Sequence, residues 1–282
     1  MDGSLRSAAI PEDNIGRQYH IGVAPGEVSR YVLLPGDPER TRLISSFWDE
    51  ARLIASHREY TTFTGHYRGV RISTTSTGIG APSAVIAVEE LLRVGADTFI
   101  RVGTMGAIRP GIKPGTLVIG RAAARLEGAS KQYVPEWYPA VADTQVVMAL
   151  IEAAETMGVD YKVGIVASTD SFYLGQGRPG FKNFYTPAAA DLIPLLASAG
   201  VLGFEMESSA IFTVSSIYGA RAGCICAAVA NRVTDEFVIN AGVEEASKVA
   251  SEAVRILWEW DEAVRRSGKR YFYPSIARST SR

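Results

Sequence analysis

Apolar, often β-branched residues gather in short runs at 31–34, 52–55, 70–74, 98–102, 116–119, 163–167 and 222–230, the length and composition of strands. Elsewhere, over 82–94, 144–157, 187–199, 206–218 and 243–265, they recur at three- and four-residue spacing, the period of helices that bury one face. The strand runs are apolar almost throughout rather than alternating with polar residues. This predicts a sheet covered by helices on both faces, an α/β layered fold. Nothing like a linker divides the chain, so 1–282 is expected to be a single domain, with 1–18 and 270–282 as arms because no pattern is clear there.

Charge and composition narrow the partners. The 282 residues carry 29 Lys and Arg against 30 Asp and Glu, a net charge of −1, which supplies no global field for a polyanion. A nucleic-acid partner is therefore not expected, and any phosphate site has to be built locally. No apolar run approaches about 18 residues and the N-terminus has no signal-like apolar segment, so no membrane partner and a cytoplasmic location are expected. Cys224 and Cys226 share an apolar run and read as two small core residues; bridging them on one face of a strand would distort it.

Several segments carry chemistry. RYVLLPGDPERTR (30–42) reads as a strand, a turn at Gly36, an N-cap at Asp37, Pro38 in the first helical position and Arg40 one turn in. Free N–H groups at such a turn, with a guanidinium beside them, suit an anion. In FIRVGTMG (99–106), Arg101 interrupts an apolar strand and Thr104 follows in a glycine-flanked loop. A buried guanidinium needs a partner, either an anionic ligand or an internal carboxylate such as Glu59, Glu89 or Glu90. Arg58, in SHREYTTF, is a third arginine able to join the same anion. In STDSFYLGQGR (168–178), Gln176 and Arg178 follow Phe172 and Tyr173, either a polar surface loop or an aromatic face with groups that read the edge of a flat heterocycle. GFEMESS (203–209) sets Glu205 and Glu207 at a helix start, where the helix dipole alone explains them and where one of them could also grip a vicinal diol; spacing does not choose.

Other motifs are excluded. There is no Walker loop, no HExxH, no CxxC and no GxSxG elbow, and His20, His57 and His66 have no metal-ligand spacing. Residues 175–180 match a dinucleotide fingerprint by letter, but Pro179 and Gly180 open no helix.

Taken together, YHIGV, LPGDPER, ASHREYTTF, STGIGAPSAVIAVEELL, FIRVGTMGAI, STDSFYLGQGR, GFEMESSAIF and ANRVTDE resemble the nucleoside phosphorylase-I family from about Tyr19 to Arg265. The resemblance implies a three-layer α/β/α sandwich around a mixed, partly barrel-like sheet. The implied activity is reversible phosphorolysis of a nucleoside, with inorganic phosphate as co-substrate and no required cofactor. By the same resemblance Gly36, Arg40, Arg58, Arg101 and Thr104 hold phosphate, with Arg58 lent by a neighbouring subunit. Phe172, Gln176 and Arg178 meet the base, Thr104, Met206 and Glu207 the ribose, and His20 reaches its 5′ hydroxyl across a dimer interface. By the resemblance Glu59, Ile79 and Ser83 match a monovalent-cation site for potassium, and the implied assembly is a hexamer of three dimers. Gln176 with Arg178, and Asn231 where purine-specific members carry an aspartate, point to uridine as substrate. A purine phosphorylase of the same fold is the alternative, because the stretch 181–200 departs from the uridine-cleaving pattern. A hydrolytic relative and a nucleoside-binding protein without turnover are the more remote readings.

Overall fold

The computed structural model describes residues 6–276. In chain order the elements are β1 (Tyr31–Leu34), α1 (Pro38–Ser45), β2 (Glu50–His57), β3 (Tyr60–Tyr67), β4 (Val70–Thr75), α2 (Ala81–Arg93), β5 (Thr98–Ala107) and β6 (Leu117–Leu126). They continue with β7 (Ala140–Val141), α3 (Thr144–Met157), β8 (Tyr161–Thr169), α4 (Pro187–Ser198), β9 (Val201–Glu205), α5 (Ser208–Ile217), β10 (Arg221–Asn231), β11 (Glu236–Phe237) and α6 (Val243–Ser267).

Five strands close a ring: β10 pairs with β6, β6 with β8, β8 with β9, β9 with β5, and β5 with β10 again. From β5 the sheet runs outward through β1, β4 and β3 to β2. Adjacent residues of β1 show that both faces are covered. Val32 and Leu34 pack into the core under α2 and α5, whereas Tyr31 and Leu33 pack into the core under α1, α3 and α6. Each fully buried Leu or Val contributes about 1.5–3 kcal/mol of burial free energy. The expected α/β/α sandwich with a barrel-like mixed sheet is the fold observed.

The helix starts follow the local chemistry read from the sequence. Asp37 accepts from the Glu39 N–H at 2.9 Å with Pro38 behind it, and Asp143 accepts from the Gln145 and Val146 N–H groups. Four strands depart from the expectation. β3 was hidden by its threonines, which pair across to β4 through Thr62–Thr75 and Thr64–Ser73 hydroxyl contacts. β9 occupies only five residues between two helices, and β7 and β11 only two each. β5 also extends to Ala107, so Thr104 lies in a strand and not in the expected loop.

Of the segments expected as arms, residues 1–5 and 277–282 lie outside the described residues. Within the described part, Glu12 accepts from Arg6 and Gln18, and Phe272 stacks on Trp260 with centroids 4.2 Å apart. Cys224 and Cys226 are buried and unbridged with Sγ atoms 3.5 Å apart, as small core residues.

Candidate active site

β1 runs parallel to β4 and β5, and β5 parallel to β10, so their C-terminal ends point the same way. In α/β sheets ligands bind beyond such ends. Here they frame a cavity of about 660 Å³. Gly36 and Arg40 reach it from the β1–α1 turn, Gly78 and Ile79 from the β4–α2 turn, and Arg101 and Thr104 from β5; Thr77 N–H donates to Pro35 O at 2.8 Å and ties the first two turns together.

Arg101 is buried, and its partners are not the expected Glu59, Glu89 or Glu90. Its Nε donates to Glu205 Oε2 at 2.7 Å and its Nη2 pairs with Glu207, because β9 crosses antiparallel to β5 and brings both carboxylates over it. Glu89 instead accepts from Tyr133 and Tyr218, and Glu90 from His20. Gly103 makes the fold-back of Arg101 feasible, since a Cβ there would lie 2.8 Å from the guanidinium carbon and from Cys226 Sγ. Burial opposes the charge on Arg101, yet the Glu207 and Glu205 carboxylates hold its pKa above the ordinary arginine value. Its Nη1 is buried without a hydrogen-bond partner among the described residues. Burial, followed by the charge of Arg101, lowers the Arg40 pKa, and among the described residues the Arg40 side chain donates only a long 3.3 Å bond to Val102 O. Two guanidiniums with spare donors in one cavity make an anion-binding arrangement.

Across the same cavity stand Phe172, Gln176 and Arg178. Arg178 lies over the Phe172 ring at 3.9 Å, and its Nη1 donates to Phe172 O at 2.8 Å. Gln176 is buried, and its Nε2 donates to Thr169 Oγ1 at 3.1 Å. Burial and the charge of Arg232 push Arg178 down to about 10. Arg232, which the sequence reading passed over, donates to Gln176 O at 2.9 Å and Gly177 O at 3.1 Å, fastening this loop to the end of β10. Arg232 follows the apolar run of β10 and does not interrupt it, so the signal that singled out Arg101 is missing. Phe237 of β11 lines the cavity and was missed with its strand. The altered stretch 181–200 buttresses the loop: Tyr185 O–H reaches Gly177 O and Ala189 O at 3.3 and 3.2 Å. Residues 175–180 open no α-helix; they hold a single 3₁₀ turn and α4 starts only at Pro187, so the dinucleotide match is rejected.

The structure separates the two carboxylates that spacing could not. Glu205 is consumed: it accepts from the N–H groups of Glu207 and Ser208, from Ser168 and from Arg101. Glu207 accepts from the Gly80 N–H at 2.6 Å and lines the cavity beside Met206. Burial is the main force raising the Glu207 pKa, against the pull of Arg101 and with the push of Glu205, since one guanidinium serves two carboxylates. Asn231 is also consumed, donating to Arg109 O and Ile112 O and accepting from the Val233 and Thr234 N–H groups.

A family model described as the phosphorylase superfamily matches residues 30–259. The chain belongs to the phosphorylase superfamily. It is 62% identical over 270 residues, 96% of this chain and 97% of that protein, to a uridine phosphorylase of Thermococcus kodakarensis. To a uridine phosphorylase of Treponema pallidum it is 40% identical over 247 residues, 85% of this chain and 94% of that protein. To a guanosine phosphorylase of Halorubrum lacusprofundi it is 37% identical over 219 residues, 78% of this chain and 86% of that protein.

In this phosphorylase superfamily member, three of the expected site residues, His20, Arg58 and Ser83, stand outside the cavity lining of their own chain. Arg58 lies over the Tyr19 ring at 5.6 Å, and His20 packs edge-on against the same ring at 4.9 Å. Both therefore sit on one patch of surface. Ser83 is likewise outside the cavity lining, but its Oγ donates to Glu59 Oε1 at 3.0 Å and contacts Thr77 O. The intervening Gly78 has φ 70°, and a Cβ there would lie 2.8 Å from Glu59 Cγ and from Ser83 Oγ. The bare α-carbon of Gly78 thus lets Glu59 and Ser83 close on each other next to exposed Ile79.

Proposed function

We propose that this chain is a uridine phosphorylase, a pentosyltransferase that converts uridine and inorganic phosphate reversibly to uracil and ribose 1-phosphate. The observation that carries the reading is one cavity lined both by Arg101, whose buried Nη1 has no hydrogen-bond partner among the described residues, and by the Gln176–Arg178 pair over Phe172. The near full-length similarity to curated uridine phosphorylases supports it.

The roles follow from the geometry. Gly36, Arg40, Arg101 and Thr104 hold phosphate, and uracil lies against Phe172. Glu207, whose neighbour Glu205 is fully engaged, accepts the ribose 2′ and 3′ hydroxyls beside Met206. As the C1′–N1 bond lengthens, its electron pair moves into the uracil ring, while a phosphate oxygen bonds to C1′ and relieves the cationic sugar. Negative charge grows on the base only in this transition state, so donors from Arg178 and Gln176 stabilise it more than the ground state. Arg178, held by burial and Arg232 at about 10, gains most from an arriving negative charge. The uracil anion takes its proton from solvent, and no covalent enzyme intermediate forms.

A dimer completes the site in this reading. Arg58 and His20, close together and outside their own cavity, serve the cavity of a neighbouring copy, Arg58 at phosphate and His20 at the ribose 5′ hydroxyl. Three such dimers form the proposed hexamer, built as one domain per chain. Glu59, Ser83 and Ile79 would hold a potassium ion that neutralises Glu59 and firms the interface. The unbridged thiols suit a reducing, cytoplasmic setting, and among the described residues no helix is long and apolar enough to cross a membrane.

The similarity to a guanosine phosphorylase keeps a purine substrate as the second reading. Asn231 opposes it, because an amide with every polar atom bound to backbone has no proton to give a leaving purine. The test is base release from uridine, thymidine and inosine with and without phosphate. Phosphate-dependent uridine cleavage is the expected result. Faster inosine cleavage would overturn the pyrimidine assignment, and cleavage without phosphate would overturn the mechanism.

A further inference from the structure

Glu90, on α2 and buried, accepts four hydrogen bonds from a short segment of chain far away in sequence. The His20 N–H lies 3.2 Å from Oε1 and 3.1 Å from Oε2, the Ile21 N–H lies 2.8 Å from Oε2, and His20 Nδ1 lies 2.6 Å from Oε1. An ionised carboxylate has no proton to give, so every one of these groups is the donor. The proton of a neutral His20 ring must then sit on Nδ1, and Nε2 carries a bare lone pair. The ring is framed as well as tethered. Tyr19 packs edge-on against it and the His57 Nδ1 lies 2.9 Å from His20 O.

We infer that Glu90 is a positioning residue that fixes the tautomer of His20 and so makes the site take a 5′ hydroxyl and reject a 5′-phosphate. The inference rests on the reading above that His20 meets that hydroxyl in a neighbouring cavity. A lone pair at Nε2 accepts from a 5′ O–H. It offers nothing to a 5′-deoxy sugar and opposes the oxygens of a 5′-phosphate, which are acceptors themselves. Glu90→Gln reverses this arrangement. Its NH₂ group can donate to Nδ1, which moves the ring proton to Nε2 and turns an acceptor into a donor.

The test has two arms on the assembled full chain. Ring-nitrogen NMR at alkaline pH, where imidazoles are neutral, reads the tautomer of His20 directly, and with only three histidines in the sequence its signal is assignable. A protonated Nδ1 with bare Nε2 is expected, and a protonated Nε2 overturns the inference whether or not any variant folds. Separately, a 5′ hydroxyl accepts as well as donates, so Glu90→Gln should keep the preference for uridine over 5′-deoxyuridine in kcat/KM, while inhibition by uridine 5′-monophosphate strengthens about tenfold, the worth of one hydrogen bond. His20→Ala should remove the same preference. If His20→Ala leaves the preference intact, the role of His20 and the inference built on it both fall. If His20→Ala removes it and Glu90→Gln binds uridine 5′-monophosphate no more tightly than the wild type, the role of His20 stands and the inference alone is overturned.

Discussion

Arg178 Nη1 donates to Gln176 Oε1 at 2.5 Å, so the two groups proposed to read the base hold each other in place before any ligand arrives. Gln176 is fixed at its other end by Thr169, and the backbone of the loop by Arg232. Preorganised donors of this kind lose little reorganisation energy when charge develops opposite them. Arg178→Ala should therefore lower kcat for uridine by about 100-fold or more, the usual cost of one such donor. Steady-state kinetics check this; an effect confined to KM would place Arg178 in ground-state binding only.

Arg40 meets the cavity with a single long bond to the protein, so its removal leaves no buried carboxylate stranded. Arg40→Ala should weaken phosphate by about 10-fold, the worth of one charge-assisted hydrogen bond, and leave the KM for uridine nearly unchanged. Calorimetric titration of phosphate reads this directly. Equal losses for both substrates would move Arg40 out of the phosphate site.

Glu207 has to be ionised to accept two ribose hydroxyls, and burial raises its pKa above 4.5. Lowering the pH protonates it before an ordinary carboxylate would titrate. The KM for uridine should accordingly rise as pH falls through a value above 4.5, and this acid limb should vanish in Glu207→Gln. The stability term has the opposite sign. The folded state binds the proton more tightly than the unfolded chain, so this group favours folding at low pH and loses that contribution as pH rises through its folded pKa. An unchanged acid limb in Glu207→Gln would assign the titration elsewhere.

If Arg58 serves a neighbouring cavity, two inactive variants should rescue each other. Co-expressed Arg58→Ala and Arg178→Ala chains form mixed dimers in which one cavity has lost both residues and the other has kept both. Roughly a quarter of all cavities are then intact for random pairing across an isologous interface. Activity of about that fraction of wild type is expected. No recovery would mean that Arg58 acts within its own chain.

Cys224 and Cys226 are buried in the core that the sheet shares with α2 and α5. A thiol reagent should titrate neither in the folded protein and both after unfolding in denaturant. Reaction of either thiol in the native state would show that β10 opens.

The order of strands and helices was legible because continuous apolar runs and three-to-four spacing report burial directly, and caps such as Asp37 and Asp143 bond to neighbours in the chain. The need of Arg101 for a partner was legible too, since a guanidinium in an apolar strand is costly alone. Which partner it found was not. The antiparallel crossing of β9 over β5 delivers Glu205 and Glu207, about a hundred residues away, and short β9 carries no signal of its own. The same crossing divided the labour of those two carboxylates, both of which line the cavity: Glu205 is taken up by Arg101, Ser168 and two backbone N–H groups, and Glu207 by Arg101 and the Gly80 N–H. Likewise Arg232 looked unremarkable until the closed ring brought the end of β10 beside the 174–178 loop. Local sequence determines what a residue needs. Only the tertiary structure determines who supplies it, because the suppliers meet through strand pairing and not through distance along the chain.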